Sequence, residues 1–196
     1  MTKYRIAIFA SGSGTNAEQI MLHFKHKHEI EVALVLTNNP NAFVLERAKK
    51  FNVTAHVFTR QQFVANQSGE VLALLLQEKI THIVLAGFML LMPEPIIHRF
   101  QDKIINIHPA LLPKFGGKGM YGHHVHEAVK VSGENETGIT IHLVNEKYDE
   151  GKILFQASCP VEANDSAEQI ADNVHALEYR HYPEQIEKWI NGFWLV

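Results

Sequence analysis

The sequence predicts an α/β fold built on a parallel, doubly wound sheet. Two observations lead there. Short apolar, β-branched runs alternate with longer segments of helical period, the pattern of strands joined by crossover helices. The chain also carries no internal repeat, low-complexity tract or Pro/Ser linker, so residues 1–196 are expected to form a single domain.

The elements follow in order. Tyr4 to Ala10 reads as a buried strand, followed by a Gly-rich turn and a helix from about Asn16 to Lys25. Glu31 to Thr37 is the second strand, Phe43 to Phe51 a short helix, and Ala55 to Phe58 a brief third strand. Gln61 to Lys79 reads as one long helix with Leu72, Leu75 and Leu76 on its inner face. His82 to Phe88 is a fourth strand, fully apolar at its centre. After residue 100 the pattern changes. Lys103 to Ile107 is a strand, and a Pro/Gly-rich loop runs from Pro109 to Gly122. A helix around Val125 to Val131 comes next. Thr140 to Val144 and Ile153 to Val161 are two further strands, and Ser166 caps a last helix reaching Trp189.

Composition narrows the function classes. Hydrophobic residues make up 46% and charged residues 20%, an ordinary globular balance. No apolar run approaches the ~18 residues of a membrane span, and the first residues carry no signal-peptide cleavage pattern. The single cysteine, Cys159, excludes an internal disulfide framework and fits a reducing compartment, so the cytoplasm is expected. Cys159 itself, before Pro160 in a strand, is expected in the core. A net charge of −3 argues against a nucleic-acid partner. Histidines cluster at His123, His124 and His126. Consecutive ligands rarely converge without partners, so no metal is expected there.

Three constellations carry chemistry. Ser11-Gly12-Ser13-Gly14-Thr15-Asn16 lies where the first strand hands over to the first helix. Backbone amides there can cradle a phosphate, helped by the helix N-terminal dipole. Ala17 stands where a dinucleotide fingerprint requires its third glycine, and Thr37-Asn38-Asn39 lacks the acid that would hold a ribose hydroxyl. Phosphate binding is therefore preferred over a dinucleotide site and over a turn that merely caps a helix. Next, Asn106 and His108 fall on the same side of a strand by alternation, where an amide donor and an imidazole together can hold an oxyanion. Lastly, Asp149 sits in a turn between two late strands; near His108 it would favour the imidazolium, but an Asp-Glu-Gly turn is also ordinary turn chemistry. The apolar run Phe88-Met89-Leu90-Leu91-Met92 could line a pocket for an aromatic heterocycle or belong to the core.

Taken together, the segments Ser11 to Asn16, Leu85 to Met89, Asn106 to Pro113, Gly138 to His142 and Asp149 to Gly151 resemble the folate-dependent formyltransferase family, in the family's order. The likeness runs from about residue 4 to 190 and is strongest to its phosphoribosylglycinamide branch. It implies an open, largely parallel seven-stranded twisted sheet flanked by helices, with a Rossmann-like N-terminal half. It implies transfer of a formyl group from 10-formyltetrahydrofolate, a cosubstrate, to the amine of phosphoribosylglycinamide, without a metal. By position it assigns Asn106, His108 and Asp149 to catalysis, and Gly14, Thr15 and Asn16 to the ribosyl phosphate. It assigns Glu178 to the ribosyl glycinamide, and Phe88, Met89, Leu90, Leu91, Met92, Val144, Asn145 and Asp149 to the folate. Protonated His108 and Asn106 would then stabilise the charge on the formyl oxygen, with Asp149 keeping His108 charged and helping to move protons.

Some positions depart from the family pattern. Leu90 stands where many relatives place an arginine for the folate's glutamate tail, and Arg60 is offered as a speculative substitute. His175 replaces a lysine or glutamine near the substrate phosphate, and the loop Lys114 to Gly122 is longer than in the commonest versions, with four glycines that would let it close over the site. Partners are expected to be small molecules, with neither nucleic acid nor membrane; the sequence is compatible with a homodimer but does not fix the oligomeric state. The rival readings are hydrolysis of the same folate, whose known enzymes add an N-terminal domain, formylation of methionyl-tRNA, and a binding module that has lost turnover.

Overall fold

Tyr4–Phe9 (β1) is a strand because Ile6, Ala7, Ile8 and Phe9 form an unbroken apolar run that only a sheet covered on both faces can bury. The computed structural model describes residues 3–64 and 69–193. It pairs β1 in parallel with Ile30–Thr37 (β2) on one side and with His82–Leu85 (β4) on the other, and β2 in parallel with Thr54–Val57 (β3). Seven strands form one sheet in the order β3-β2-β1-β4-β5-β6-β7, with β5 at Ile104–His108, β6 at Glu136–Leu143 and β7 at Ile153–Pro160. The last pair, β6 and β7, is antiparallel.

The chain divides into two compact units, residues 1–105 and 106–196. In the first, helices Thr15–Phe24 (α1), Val44–Lys50 (α2), Arg60–Val64 (α3), Glu70–Gln77 (α4) and Glu94–Arg99 (α5) alternate with the strands. Its core gathers Phe9, Phe58, Phe63 and Phe88 into one aromatic cluster, with ring centroids 4.9–6.2 Å apart. Rings at these spacings add edge-to-face attraction to the area they bury. In the second unit, His123–Ser132 (α6) and the 24-residue helix Ala167–Ile190 (α7) pack together. Ser166 caps α7 by accepting from the Gln169 amide, while the Gln169 side chain accepts from the Ser166 amide.

The expected elements are present, with instructive differences. The stretch expected to be one helix, Gln61 to Lys79, contains α3 and α4, and residues 65–68 of it lie outside the described residues. Within α4 the inward face is Val71 and Leu75, one turn apart, whereas Leu76 is exposed. The fourth strand stops at Leu85 because Gly87, at φ +72°, turns the chain and offers its carbonyl to the Ser11 amide 3.0 Å away. Helix α5 was not expected; its cue is Pro93 before the first turn and Pro95 within it, where a missing N–H costs nothing. Strand β6 begins four residues before the expected Thr140. Gly138 interrupts the apolar pattern there, yet the strand requires it: a Cβ would lie 2.0 Å from the Ala157 carbonyl oxygen of β7. Cys159, expected in the core, is half-buried on edge strand β7, where burial and then the carboxylates of Glu136 and Asp165 push its thiol up. No helix among the described residues is long and apolar enough to cross a membrane.

Candidate active site

The Gly-rich turn of the first unit is built to leave backbone exposed at a helix start. Gly14 precedes α1 in the left-handed region, φ +72°, and a Cβ there would meet Val44 Cγ2 at 2.5 Å. Glycine is thus demanded twice, by the turn and by the close approach of α2. Thr15 and Asn16 open the helix, Asn16 being buried. The turn is held from α2, whose Val44 amide donates to the Gly12 carbonyl (3.2 Å) and whose Arg47 Nε donates to the Ser13 carbonyl (2.8 Å). Arg47 also pairs with Glu18, and Lys50 Nζ reaches the same carboxylate at 3.0 Å. These contacts fix a turn whose helix-start amides suit an anionic group.

Ser11 ties this turn to the apolar run expected to meet the folate. Its hydroxyl accepts from the Met89 amide at 3.1 Å and donates to Asn38 Oδ1 at 2.7 Å. The run itself divides. Met92 is buried in the core, and the Phe88 ring packs edge-on against Phe9 and Phe63. Met89 and Leu91 are exposed and Leu90 half-buried, so this side of the run presents hydrocarbon to solvent. Arg60 is exposed at the start of α3.

In the second unit the three polar residues singled out by spacing converge. Alternation along β5 puts Asn106 and His108 on one side, with Ile105 and Ile107 buried on the other. His108 Nδ1 lies 3.6 Å from Asp149 Oδ2, and Asn106 Nδ2 donates to Asp149 Oδ1 at 3.4 Å. Asp149 reaches them from a turn in which its own φ is +56°. Two glycines make that turn fit. A Cβ on Gly151 would stand 1.6 Å from the Leu143 carbonyl oxygen, and one on Gly116 would meet Leu112 Cδ2 at 2.5 Å and Asp149 Cβ at 3.4 Å.

Three groups that sequence reasoning did not assign complete the cluster. The His108 Nε2–H donates to the Phe115 carbonyl at 2.8 Å, and the Gly117 amide donates to Asp149 Oδ2 at 3.0 Å. His142, fully buried on β6, brings Nε2 within 3.2 Å of Asn106 Nδ2 and 3.5 Å of Asp149 Oδ1. Its signal was present: His142 follows Thr140 by two on a strand, so both fall on one face, and Thr140 is wholly buried. The loop after β5 is pinned through that face. Thr140 Oγ1 donates to the Ala110 carbonyl at 2.7 Å and accepts from the Leu112 amide at 2.9 Å. Gln156 Nε2 donates to the Leu112 carbonyl and to Thr140 Oγ1.

The electrostatics follow from burial against these contacts. Burial alone would raise Asp149, but His142 and His108 beside it and the Gly117 amide prevail and hold the carboxyl below its ordinary value. Asp149 is therefore a carboxylate at neutral pH. His108 is pulled below its ordinary value by burial, with His142 adding to the fall; Asp149 and the Phe115 carbonyl act the other way. Both its ring nitrogens face acceptors, an arrangement that stabilises the imidazolium as soon as a proton is available.

The remaining assigned residues lie apart from this cluster in the second unit. Val144 and Asn145 leave β6 on the way to Asp149, with Asn145 Oδ1 accepting from the Lys147 amide in a local turn (3.0 Å). Glu178 is buried on α7, one turn before Tyr182, whose hydroxyl is pushed well up by burial and by that carboxylate. On α6, His123 and His124 are exposed and His126 is buried; His126 packs against His175, with ring centroids 6.2 Å apart. No group of three or more His, Cys, Asp or Glu among the described residues is arranged to hold a metal ion.

The chain resembles known proteins along most of its length. The formyl transferase family model matches residues 4–186. The chain is 37% identical over 192 residues to phosphoribosylglycinamide formyltransferase of Haemophilus influenzae, covering 96% of this chain and 88% of that one. It is 36% identical over 193 residues to the chloroplastic phosphoribosylglycinamide formyltransferase of Arabidopsis thaliana, 93% of this chain but only 64% of that longer protein. Its fold matches the crystal structure of phosphoribosylglycinamide formyltransferase from Bacillus halodurans with a TM-score of 0.86 at 34% identity, covering 98% and 100% of the two chains.

Proposed function

Because the chain belongs to the formyl transferase family, we propose that it transfers the formyl group of 10-formyltetrahydrofolate to the amine of 5-phosphoribosylglycinamide, a step of de novo purine biosynthesis. The observation that carries this reading is the convergence of Asn106 and His108 on the Asp149 carboxylate, at 3.4 and 3.6 Å. We read residues 1–196 as one formyltransferase domain, and the family match supports this by running through both units.

In this reading the glycinamide amine attacks the formyl carbon and negative charge grows on the formyl oxygen. Asn106 and His108 hold that charge as preorganised donors, which costs no reorganisation at the moment of reaction. The His108 N–H rests on the Phe115 carbonyl, and in this reading the formyl oxygen takes the place of that carbonyl. The growing charge, with Asp149 at the other ring nitrogen, favours the imidazolium against the penalty of burial; His108 takes that proton from water as the charge grows and returns it to water as the formyl oxygen is released. The bond from the formyl carbon to folate N10 then breaks, and the proton lost by the amine ends on N10. Asp149, ionised at neutral pH, relays it through water.

The other assignments follow the chemistry of each place. Gly14, Thr15 and Asn16 hold the ribosyl phosphate on helix-start amides. Buried Glu178 receives the glycinamide portion. Phe88 to Met92 in the first unit, of which Met89 and Leu91 expose hydrocarbon, are assigned to the folate, and so are Val144, Asn145 and Asp149 in the second. We place the enzyme in the cytoplasm, in keeping with the free thiol of Cys159.

The test is absorbance-monitored conversion of 10-formyltetrahydrofolate to tetrahydrofolate with and without phosphoribosylglycinamide. Conversion that depends on the glycinamide is expected. Conversion without any amine would make the protein a hydrolase, and none in either case would remove the proposed activity.

A further inference from the structure

We infer that Gln156, on edge strand β7, is a positioning residue: its side-chain amide fixes Leu112, and through Leu112 the glycines that hold Asp149. The inference rests on the formyl-transfer reading for what Asp149 does, but not for the geometry.

Thr140 and Gln156 stand opposite each other in the antiparallel pairing of β6 with β7. Thr140 Oγ1 lies 2.7 Å from the Ala110 carbonyl, which can only accept, so the single hydrogen of the hydroxyl is spent there. The Leu112 amide, 2.9 Å away, can only donate and takes one of the hydroxyl's lone pairs. A lone pair is what remains, and Gln156 Nε2 meets it with a hydrogen at 2.9 Å. The other hydrogen of that nitrogen goes to the Leu112 carbonyl at 3.1 Å. Both partners act as acceptors, so they decide which end of the side-chain amide faces them: the nitrogen. Leu112 is thereby held at its N–H by Thr140 and at its carbonyl by Gln156. Pro113 follows with no N–H to offer, so the sheet grips the start of the loop through that carbonyl.

From Leu112 the contact passes to the site. A Cβ on Gly116 would meet Leu112 Cδ2 at 2.5 Å and Asp149 Cβ at 3.4 Å, so Gly116 is pressed between the two side chains. The next residue, Gly117, gives its amide to Asp149 Oδ2 at 3.0 Å. Leu112 is buried, and in a close-packed interior its displacement is felt by Gly116. Each link is a packed contact or a hydrogen bond, and the last of them helps to keep Asp149 ionised beside His142 and His108. Position 156 asks for two N–H groups on one atom, which glutamine supplies and neither methionine nor glutamate does.

The test compares Gln156→Met, which removes the forked donor, with Gln156→Glu, which keeps the length but sets oxygens against two acceptors. At mildly alkaline pH kcat should fall by ~10-fold in the first and by ~10² in the second, the scale on which a remote change misplaces a catalytic group. KM for either substrate should stay within about threefold. In Gln156→Met the acid limb of the kcat profile should move to higher pH. Asp149 there loses the Gly117 amide, which lowers it together with His142 and His108. A residue that merely supports the fold would lower the melting temperature and leave that limb in place. Wild-type kcat in both variants, an unmoved acid limb, or a loss in Gln156→Met as large as in Gln156→Glu overturns the inference. Carbon-13 titration of the Asp149 carboxyl, in wild type and in Gln156→Met, reads the same shift without turnover and stands even should Gln156→Glu fail to fold. If the wild type transfers no formyl group, the functional reading falls and that titration alone decides on Gln156.

Discussion

β1 and β5 are strands of six and five residues, and each delivers the chain to a loop singled out for chemistry, yet they bury opposite materials. β1 buries Ile6, Ala7, Ile8 and Phe9, which ask of their neighbours only volume and shape. β5 alternates isoleucine with Asn106 and His108, and each polar atom must find a partner of the right kind at the right distance. The first unit is therefore specified by bulk, and its Gly-rich turn is held by backbone bonds from Val44 and Gly87 together with the Ser11 and Arg47 side chains. The second is specified at its site by a network in which Asn106, His108, His142, Asp149, Phe115 and Gly117 all depend on one another. Stability and reactivity should separate along this line.

The largest effects should come from exchanging what the two strands bury. Ile8→Ala, in the wholly buried middle of β1, should cost about 2–5 kcal/mol of stability by transfer and cavity terms. Turnover per folded molecule should survive. Asn106→Ala should do the reverse, losing ~10²–10³ in kcat, as removal of one oxyanion donor typically does. Its melting temperature should move little, because the site stays partly open to water at Asn106. Denaturant titration and turnover on the same samples check both. Near-normal turnover of Asn106→Ala in folded protein would remove the oxyanion role.

The same contrast explains what could be read from the chain alone. The strands of the first unit were legible because continuous apolar runs admit few alternatives, and the pairing order follows from crossover helices. Asn106, His108 and Asp149 were legible as residue types at suggestive spacing, but their convergence was not, since about 40 residues of chain separate β5 from the Asp149 turn. Gly138 misled because glycine in a strand normally weakens it, whereas here only its missing side chain lets β7 approach. Leu76 misled because α4 is apolar nearly all round, and only one stripe of it finds a core. The Phe115 carbonyl and the Gly117 amide are backbone groups and leave no mark in a sequence. His142 left one, its alternation with Thr140, but nothing in the pattern said which residue would face it.

A smaller effect tests the two units with the same chemical probe. Each holds a histidine whose charged form is disfavoured by burial. His82, in the first unit, is lowered to about 4 by burial and then by the charge of Lys103. His126, in the second, is lowered to about 4 by burial and by His175, His123 and His108. A folded pKa below the unfolded value means that the unfolded chain binds more protons between pH ~6.5 and 4. The stabilisation is complete above pH ~6.5 and is lost as the pH falls toward 4. After discounting for solvent screening, each should be worth about 1–2 kcal/mol. Melting temperature should therefore drop between pH 7 and 5. His126→Gln should flatten the second unit's share of that slope, and an unchanged slope in both His126→Gln and His82→Gln would refute the assignment.

The smallest prediction bears on a part of the second unit that behaves like the first. Ser166 and Gln169 exchange hydrogen bonds at the start of α7 and take no part in the cluster of Asn106, His108, His142 and Asp149. The contacts are exposed and local, so Ser166→Ala should cost only about 1 kcal/mol, the usual worth of an N-cap. Glu178 lies three turns further into the same helix, and its position depends on the buried stripe Ile170, Val174, Tyr182 and Ile186 rather than on the cap. Turnover and KM for the glycinamide should accordingly stay at wild-type values while the melting temperature falls by a few degrees. A rise in KM would mean that the helix start and the glycinamide contact are coupled, and that the second unit is one cooperative network throughout rather than a polar site carried on an ordinary helical support.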